Sequence, residues 1–227
     1  MLEVILIRHG ETDANRSLRF QGHADIPLNA TGLLQSDRLA RAFRNNGILE
    51  RVAASYSSDL QRAVQTAQTS LQQTPHAAPV LQSALREQSF GVLEGLTFDE
   101  ARASYPNDVE SWMQFNADYA LPSGESTRQF HDRVLGALND IALAHRNTPE
   151  NSCVLVFSHG GVVDMAWRHL TGQPLSGPRT CEIPNVGLNH MRWDGRRFHL
   201  QDWADARHVA DLPEQPRYDQ RKLRGRN

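Results

Sequence analysis

The chain has 227 residues, enough for one α/β domain carrying an insertion, or at most two small domains. Twenty-four Lys plus Arg against 26 Asp plus Glu leave a net charge of −2, which gives no general pull toward nucleic acid or an anionic membrane. Hydrophobic residues make up 39% of the sequence, enough to fill one core, and no stretch approaches the roughly 20 apolar residues that cross a bilayer.

The N-terminus reads Met1-Leu2-Glu3-Val4-Ile5-Leu6-Ile7-Arg8-His9. Its apolar run is too short for the core of a signal peptide, and Glu3 stands where a positive segment would be. The two cysteines, Cys153 and Cys181, have neither metal-like nor redox-like spacing and read as small buried hydrophobes in a reducing compartment. These features predict a soluble, cytoplasmic protein.

Val4-Ile5-Leu6-Ile7 is an aliphatic run without alternation, the pattern of a strand buried on both faces of a parallel sheet. It ends abruptly in Arg8-His9-Gly10-Glu11-Thr12, and the carboxyl edge of such a sheet is where ligands bind. A helix is expected from Thr31 to Gly47, with Leu39 and Phe43 on one face, then a short strand from Val52 to Tyr56. Ser58 with Gln61 reads as a capping box for the next helix, whose Leu60, Val64, Ala67 and Leu71 form an apolar stripe. Arg62 falls in the first turns of that helix, near its positive end.

Beyond Glu87 the chain reads as a helical insertion over about residues 96–146. Thr97 with Glu100, Asn107 with Glu110, and Ser126 with Gln129 each have capping-box spacing, and Pro106 ends the first of the three helices. The third carries Phe130, Val134, Ala137 and Ile141. Cys153 to Phe157 is a second buried strand, ending in Ser158-His159-Gly160-Gly161 and followed by a helix to Gly172. Leu188 to Trp193, Asp194-Gly195, and Arg196 to Leu200 predict a β-hairpin. The pattern predicts a three-layer α/β/α sandwich with a mainly parallel central sheet, one domain over residues 1–212. A basic tail at 213–227 carries Arg217, Arg221, Lys222, Arg224 and Arg226.

Two buried strands each end in His-Gly, His9-Gly10 and His159-Gly160. If the strands are parallel neighbours, both imidazoles emerge at one sheet edge. With Arg8 and Arg62 and a helix N-terminus they form an anion-attracting cluster, and phosphate suits the bidentate geometry of arginine. A carboxylate set against that cluster, Glu87, has an obvious use in protonating a leaving alkoxide and then activating water.

Arg8-His9-Gly10-Glu11-Thr12 with Asn15 resembles the phosphohistidine signature of the histidine phosphatase (phosphoglycerate mutase-like) superfamily. The resemblance continues in order through Phe20-Gln21-Gly22, Ser58-Asp59-Leu60-Gln61-Arg62-Ala63, Glu87 with Phe90-Gly91, Pro122-Ser123-Gly124-Glu125-Ser126, and Ser158-His159-Gly160-Gly161. The set covers roughly residues 2 to 170. It implies that His9 attacks phosphorus and that the carbonyl of Gly10 holds its other ring nitrogen. Arg8, Arg62 and His159 would bind the phosphoryl oxygens, joined by Asn15 and the amide of Gly160, with Gln21 and Gly22 at the substrate. Glu87 would be the general acid/base. No metal or other cofactor is implied, because phosphoryl transfer asks for positioning and charge stabilisation.

Within the superfamily, the pattern is similar to the compact phosphatases, such as α-ribazole phosphatase and the broad-specificity forms. From Gln88 to Glu125 the only basic residue is Arg102, whereas Glu94, Asp99, Glu100, Asp108, Glu110, Asp118 and Glu125 are acidic. That acidity disfavours a substrate with a second anionic group and points to a small phosphomonoester with a neutral or cationic remainder. A phosphoglycerate mutase dependent on 2,3-bisphosphoglycerate is the alternative, with Arg16 and Arg19 as its second anion site. A non-catalytic phosphate binder on the same fold would be free to lose one of Arg8, His9, Arg62, Glu87 or His159, and none is lost. A dinucleotide enzyme would need a Gly-rich loop after the first strand, and a zinc hydrolase the ligand spacings. The expected partner is a small phosphorylated substrate, with no nucleic acid and no membrane. The hairpin and tail are plausible surfaces for a homodimer.

Overall fold

A computed structural model describes residues 1–216. The basic residues expected in a tail, Arg217, Arg221, Lys222, Arg224 and Arg226, lie outside the described residues. In chain order the elements are β1 (Leu2–Arg8), α1 (Asp13–Arg16), α2 (Ala30–Asn45), β2 (Val52–Ser57), α3 (Gln61–Ser70) and β3 (Val80–Leu81). They continue through α4 (Phe98–Ser104), α5 (Pro106–Trp112), α6 (Thr127–Ala144), β4 (Cys153–Ser158), α7 (Gly160–Thr171), β5 (Leu188–Trp193) and β6 (Phe198–Asp205).

The six described strands form one sheet in the order β3-β2-β4-β1-β5-β6. β3, β2, β4 and β1 run parallel, while β5 and β6 close the far side as an antiparallel hairpin. The unbroken aliphatic runs of β1 and β4 are explained by burial on both faces. Val4, Leu6, Val154 and Val156 join the cluster under α6 and α7, while Ile5, Ile7, Leu155 and Phe157 join the one under α2 and α3. Strand alternation therefore feeds two cores and makes three layers.

Local sequence sets most element ends. α2 starts where the Asn29 side chain accepts the Gly32 amide, and Gly47 lies just past its end with φ of 63°. Thr97–Glu100 and Ser126–Gln129 form the expected capping boxes. Two other expected boxes do not form. α5 begins at Pro106 itself, whose fixed φ and missing N–H suit a first helical turn, so Asn107 lies inside the helix. α3 is preceded by Leu60, which has no side-chain cap; the Ser58 hydroxyl lies against a histidine and accepts the Leu60 amide, and the Gln61 amide goes to the Asp25 carboxylate (2.7 Å).

Packing divides the 96–146 segment. α4 and α5 carry a small core of their own (Leu93, Phe98, Ala101, Val109, Leu121), to which Phe20, Phe90 and Trp112 are joined. The longer α6 packs through Phe130, Val134, Leu138 and Ile141 into the main core. The predicted helix at 31–47 begins one residue earlier than expected, and the second hairpin strand runs from 198 to 205 rather than 196 to 200.

The loop leaving β1 is strapped to the helices on one side of the sheet. The Gly10 amide donates to Thr66 Oγ1 (3.0 Å), the Glu11 amide to Gln35 Oε1 (2.8 Å), and the Glu11 carbonyl accepts from Asn29 (3.0 Å). This contact needs two glycines. A Cβ on Gly32 would collide with the backbone of Glu11, and one on Gly10 with the backbone of Gly32. Gly32→Ala should therefore destabilise the fold by about 1–3 kcal/mol, the usual cost of overpacking. The expected reading is a lower urea midpoint at unchanged slope, and an unchanged midpoint would contradict the strapping described here.

Candidate active site

The register of β1 and β4 assembles the site. Arg8 lies opposite Ser158, so the next residues, His9 and His159, leave neighbouring strands at the same edge. Their rings sit edge to face with centroids 5.2 Å apart, and both are buried. The His9 amide donates to the Ser158 carbonyl (2.9 Å), and the His9 carbonyl accepts from Asn185 Nδ2 (2.9 Å), which fixes its backbone.

His9 Nδ1 is 2.6 Å from the Gly10 carbonyl. A carbonyl only accepts, so Nδ1 carries the proton and Nε2 holds the lone pair. Burial pushes the His9 pKa well below the usual histidine value, and the Arg62 and Arg8 guanidinium groups push it the same way; the Gly10 bond opposes them. His159 is likewise held neutral, first by burial and then by the positive charge of Arg62. A neutral His9 is the form that can attack an electrophile.

Arg62, on the first turn of α3, is completely buried. Its two terminal nitrogens donate to the carbonyls of Ala24 and Gly22, each at 2.8 Å. Burial lowers its pKa to about 10, with Glu87, Asp25 and Glu94 acting in the opposite sense, so it stays charged at neutral pH. Arg8 donates to the carbonyl of Ile183 (2.7 Å) and to Gln215 Oε1 (3.1 Å). A Cβ on Gly160, at the start of α7, would lie 3.5 Å from Arg8 Nε, which puts that helix N-terminus beside the guanidinium.

Glu87 is held from both ends. Its carboxylate accepts the amides of Gln88 (2.8 Å) and Gly161 (2.9 Å), while its carbonyl accepts from His23 Nε2 (3.0 Å) and Arg133 (3.2 Å). Gly161 must be glycine, since a Cβ there would collide with the carboxylate. Asn15 Oδ1 caps Thr12 in the short helix α1, which orients its amide group. Gln21 accepts from the Thr12 hydroxyl (2.9 Å), and Gly22, at φ of 49°, presents the carbonyl that grips Arg62.

An open cleft of about 620 Å³ adjoins these groups, lined by Arg8, Asn15, Gln21, Gly22 and Glu87. Its outer wall is aromatic: Phe20 packs edge to face on Phe90 and on Trp112, with ring centroids 5.3 Å apart in each case. Arg8, Asn15, Gln21, Gly22 and Glu87 line this cleft, while the buried His9, Arg62 and His159 and the N-terminus at Gly160 are not among its lining residues. His23 supports the Glu87 backbone through its ring Nε2.

Sequence reading passed over three residues that hold the site. Asn185 anchors His9 from an isolated polar position between Pro184 and Val186, which carries no pattern of its own. Arg133 ties Glu125 to the carbonyls of Ala84, Arg86 and Glu87; the only signal was Glu125 within a family-like block. Ser58 was assigned to a helix cap but lies 2.8 Å from His159 Nε2.

Residues 4–206 match the family model described as histidine phosphatase superfamily (branch 1). The chain belongs to this superfamily. It is 31% identical over 212 residues to a metal-independent phosphoserine phosphatase of Arabidopsis thaliana, covering 92% of this chain and 84% of that protein. It is 30% identical over 211 residues to phosphoglycerate mutase-like protein 4 of the same plant, covering 92% and 87%. Among solved structures, Bacillus stearothermophilus YhfR superposes with a TM-score of 0.79 at 29% identity, over 92% of this chain and all (100%) of that one. The shared fold is a mainly parallel six-stranded sheet flanked by helices. Among the described residues no helix is long and apolar enough to cross a membrane, and no group of three or more His, Cys, Asp or Glu could hold a metal ion.

The depressed histidine pKa values have a consequence for stability. Below pH 6.5 the unfolded chain protonates these two side chains while the folded chain does not, so folding stability falls as pH drops through this range. Each histidine should contribute a slope approaching about 1.4 kcal/mol per pH unit, present until its folded pKa is reached. Urea melts between pH 7.5 and 5 should show a shallower decline in His9→Gln and in His159→Gln than in the wild type. Equal slopes in all three would contradict the assignment of buried, neutral rings.

Proposed function

We propose that the protein is a metal-independent phosphomonoesterase that acts through a phosphohistidine on His9. The observation that carries this reading is the pairing of a neutral His9, its Nδ1 committed to the Gly10 carbonyl, with the guanidinium groups of Arg8 and Arg62. His9 Nε2 attacks phosphorus in line with the ester oxygen. The P–O bond to the leaving group breaks as the N–P bond forms, and the carboxylic proton of Glu87 passes to the departing alkoxide. Glu87, now a carboxylate, takes a proton from water, whose oxygen attacks the phosphohistidine and restores His9 with release of phosphate.

Arg8, Arg62, His159, the Asn15 side chain and the Gly160 amide are the donors to the equatorial oxygens, where charge sits throughout the transfer. The substrate is a small phosphorylated metabolite with a neutral or cationic remainder, and the reaction takes place in the cytoplasm, where the free thiols of Cys153 and Cys181 stay reduced. Acidity of the 88–125 segment is a weaker support than the sequence suggested, because much of it is structural. Glu94 organises the amides of His23 and Phe90, Glu125 pairs with Arg133, and Asp118 pairs with Arg128. A stronger support is the aromatic wall of Phe20, Phe90 and Trp112, which suits an uncharged or cationic group better than a second carboxylate.

The mutase alternative relies on Arg16 and Arg19 as a second anion site. Arg16 is paired with Glu11 (2.9 Å) and Arg19 with Glu100 (2.6 Å). Both cations are thereby largely spent on neighbouring carboxylates, which favours hydrolysis over a reaction that must grip a bisphosphate. Purified protein assayed with excess EDTA should release phosphate from a panel of monoesters, with 3-phosphoglycerate interconversion slow by comparison. In His9→Ala, phosphate release should drop by about ten-thousandfold or more, as expected for loss of a nucleophile. Rapid interconversion with little phosphate release, or activity unaffected by His9→Ala, would overturn the proposal.

A further inference from the structure

We propose that Ser58 is a positioning residue that sets the tautomer of His159, keeping the proton on Nδ1 so that this nitrogen donates to a phosphoryl oxygen. The inference rests on the phosphatase reading above for the identity of the guest, and on four observations for its geometry. His159 is completely buried. Its Nε2 is 2.8 Å from Ser58 Oγ, whereas its Nδ1 is buried with no partner among the described residues. Ser58 Oγ also accepts the Leu60 amide at 3.3 Å. The His159 ring stands 5.2 Å from the His9 ring, within the positive field of Arg62 and Arg8.

A neutral imidazole carries one N–H, and its place decides what the ring can bind. With the proton on Nε2, that N–H would point at the serine oxygen and Nδ1 would offer a lone pair. A phosphoryl group offers only acceptor oxygens, so this tautomer would set lone pair against lone pair. With the proton on Nδ1, the buried and otherwise orphaned nitrogen becomes a donor, and Nε2 accepts the Ser58 hydroxyl hydrogen. The Leu60 amide favours the second arrangement, because it occupies a lone pair on Oγ and leaves the hydroxyl hydrogen to be given away. Ser58 thus does for His159 what the Gly10 carbonyl does for His9. In both cases the partner fixes one ring nitrogen so that the other has the right character, a lone pair on His9 Nε2 and a proton on His159 Nδ1.

The backbone makes the contact possible. The Ser58 amide donates to the Phe157 carbonyl (2.9 Å), which continues the pairing of β2 with β4 by one residue. Ser58 therefore leaves its strand level with Ser158 and Arg8, one residue before His159 and His9 leave theirs, and the strand that carries His159 lies between the other two.

The test reads the ring directly. Long-range proton–nitrogen NMR of histidine-labelled wild-type protein should show His159 with Nδ1 protonated and Nε2 bare. In Ser58→Ala that preference should be lost, and kcat for phosphate release should fall about tenfold or more, with a smaller change in KM. Ser58→Thr, which keeps the hydroxyl, should restore both the tautomer and most of kcat. A merely structural serine would leave the tautomer unchanged while lowering the yield of folded protein. Wild-type protein with the proton on Nε2, or a tautomer that Ser58→Ala does not alter, would overturn the proposal. An inactive wild-type protein would overturn the phosphatase reading instead, since the tautomer is observed without turnover.

Discussion

The site depends on the parallel pairing of β1 with β4, in which Arg8 is level with Ser158. Side chains alternate along a strand, so a slip of one residue would exchange the two faces of β1 and send the core residues Val4 and Leu6 to the wrong layer. Because β1 and β4 are buried on both faces, such a slip is costly, and the register is as secure as the core itself. Two polar residues of each strand end then emerge together: Arg8 and His9 from one, Ser158 and His159 from the other. Ser158 is spent on structure, its hydroxyl donating to the Leu85 carbonyl (2.7 Å) at the start of the segment that leads to Glu87.

Concentrating positive charge in a buried place is expensive, and the fold meets that cost with carbonyls and carboxylates rather than with solvent. Arg62 keeps its charge by donating to two backbone carbonyls in the field of Glu87, Asp25 and Glu94. The two histidines avoid the cost by staying neutral. Donors fixed in this way need no rearrangement when charge develops on a ligand, which is the physical basis of electrostatic preorganisation. The same economy explains the second tier of contacts. Thr12, Thr66, Arg133 and Asn185 each hold a loop that bears a site residue, and the Gly10–Gly32 approach locks the first of those loops against α2.

Much of this was legible in the sequence because its signals were local. An aliphatic run ending in Arg-His-Gly reports both a doubly buried strand and the polar edge where it stops, and two such runs place two histidines. Capping spacing located α4 and α6 for the same reason. Where the reading failed, a competing partner or neighbour had displaced the expected cap. Ser58 has the spacing of a cap, but its hydroxyl is 2.8 Å from a histidine 101 residues away. Asn107 has it too, but Pro106 is the better first helical residue. The acidity of the 88–125 segment was visible, whereas its pairing with Arg19, Arg128 and Arg133 required the fold. Asn185 could not have been found, since nothing within its own neighbourhood needs it.

The proposed reaction requires His9 Nε2 to become bonded to phosphorus. Protein mixed with a monoester carrying labelled phosphate, quenched in alkali and digested, tests it most directly, because a phosphoramidate survives alkali and is lost in acid. Label is expected on the peptide containing His9, stable to base, released by acid and lost in His9→Ala. Label that resists acid, or that resides on another peptide, would contradict the proposed reaction.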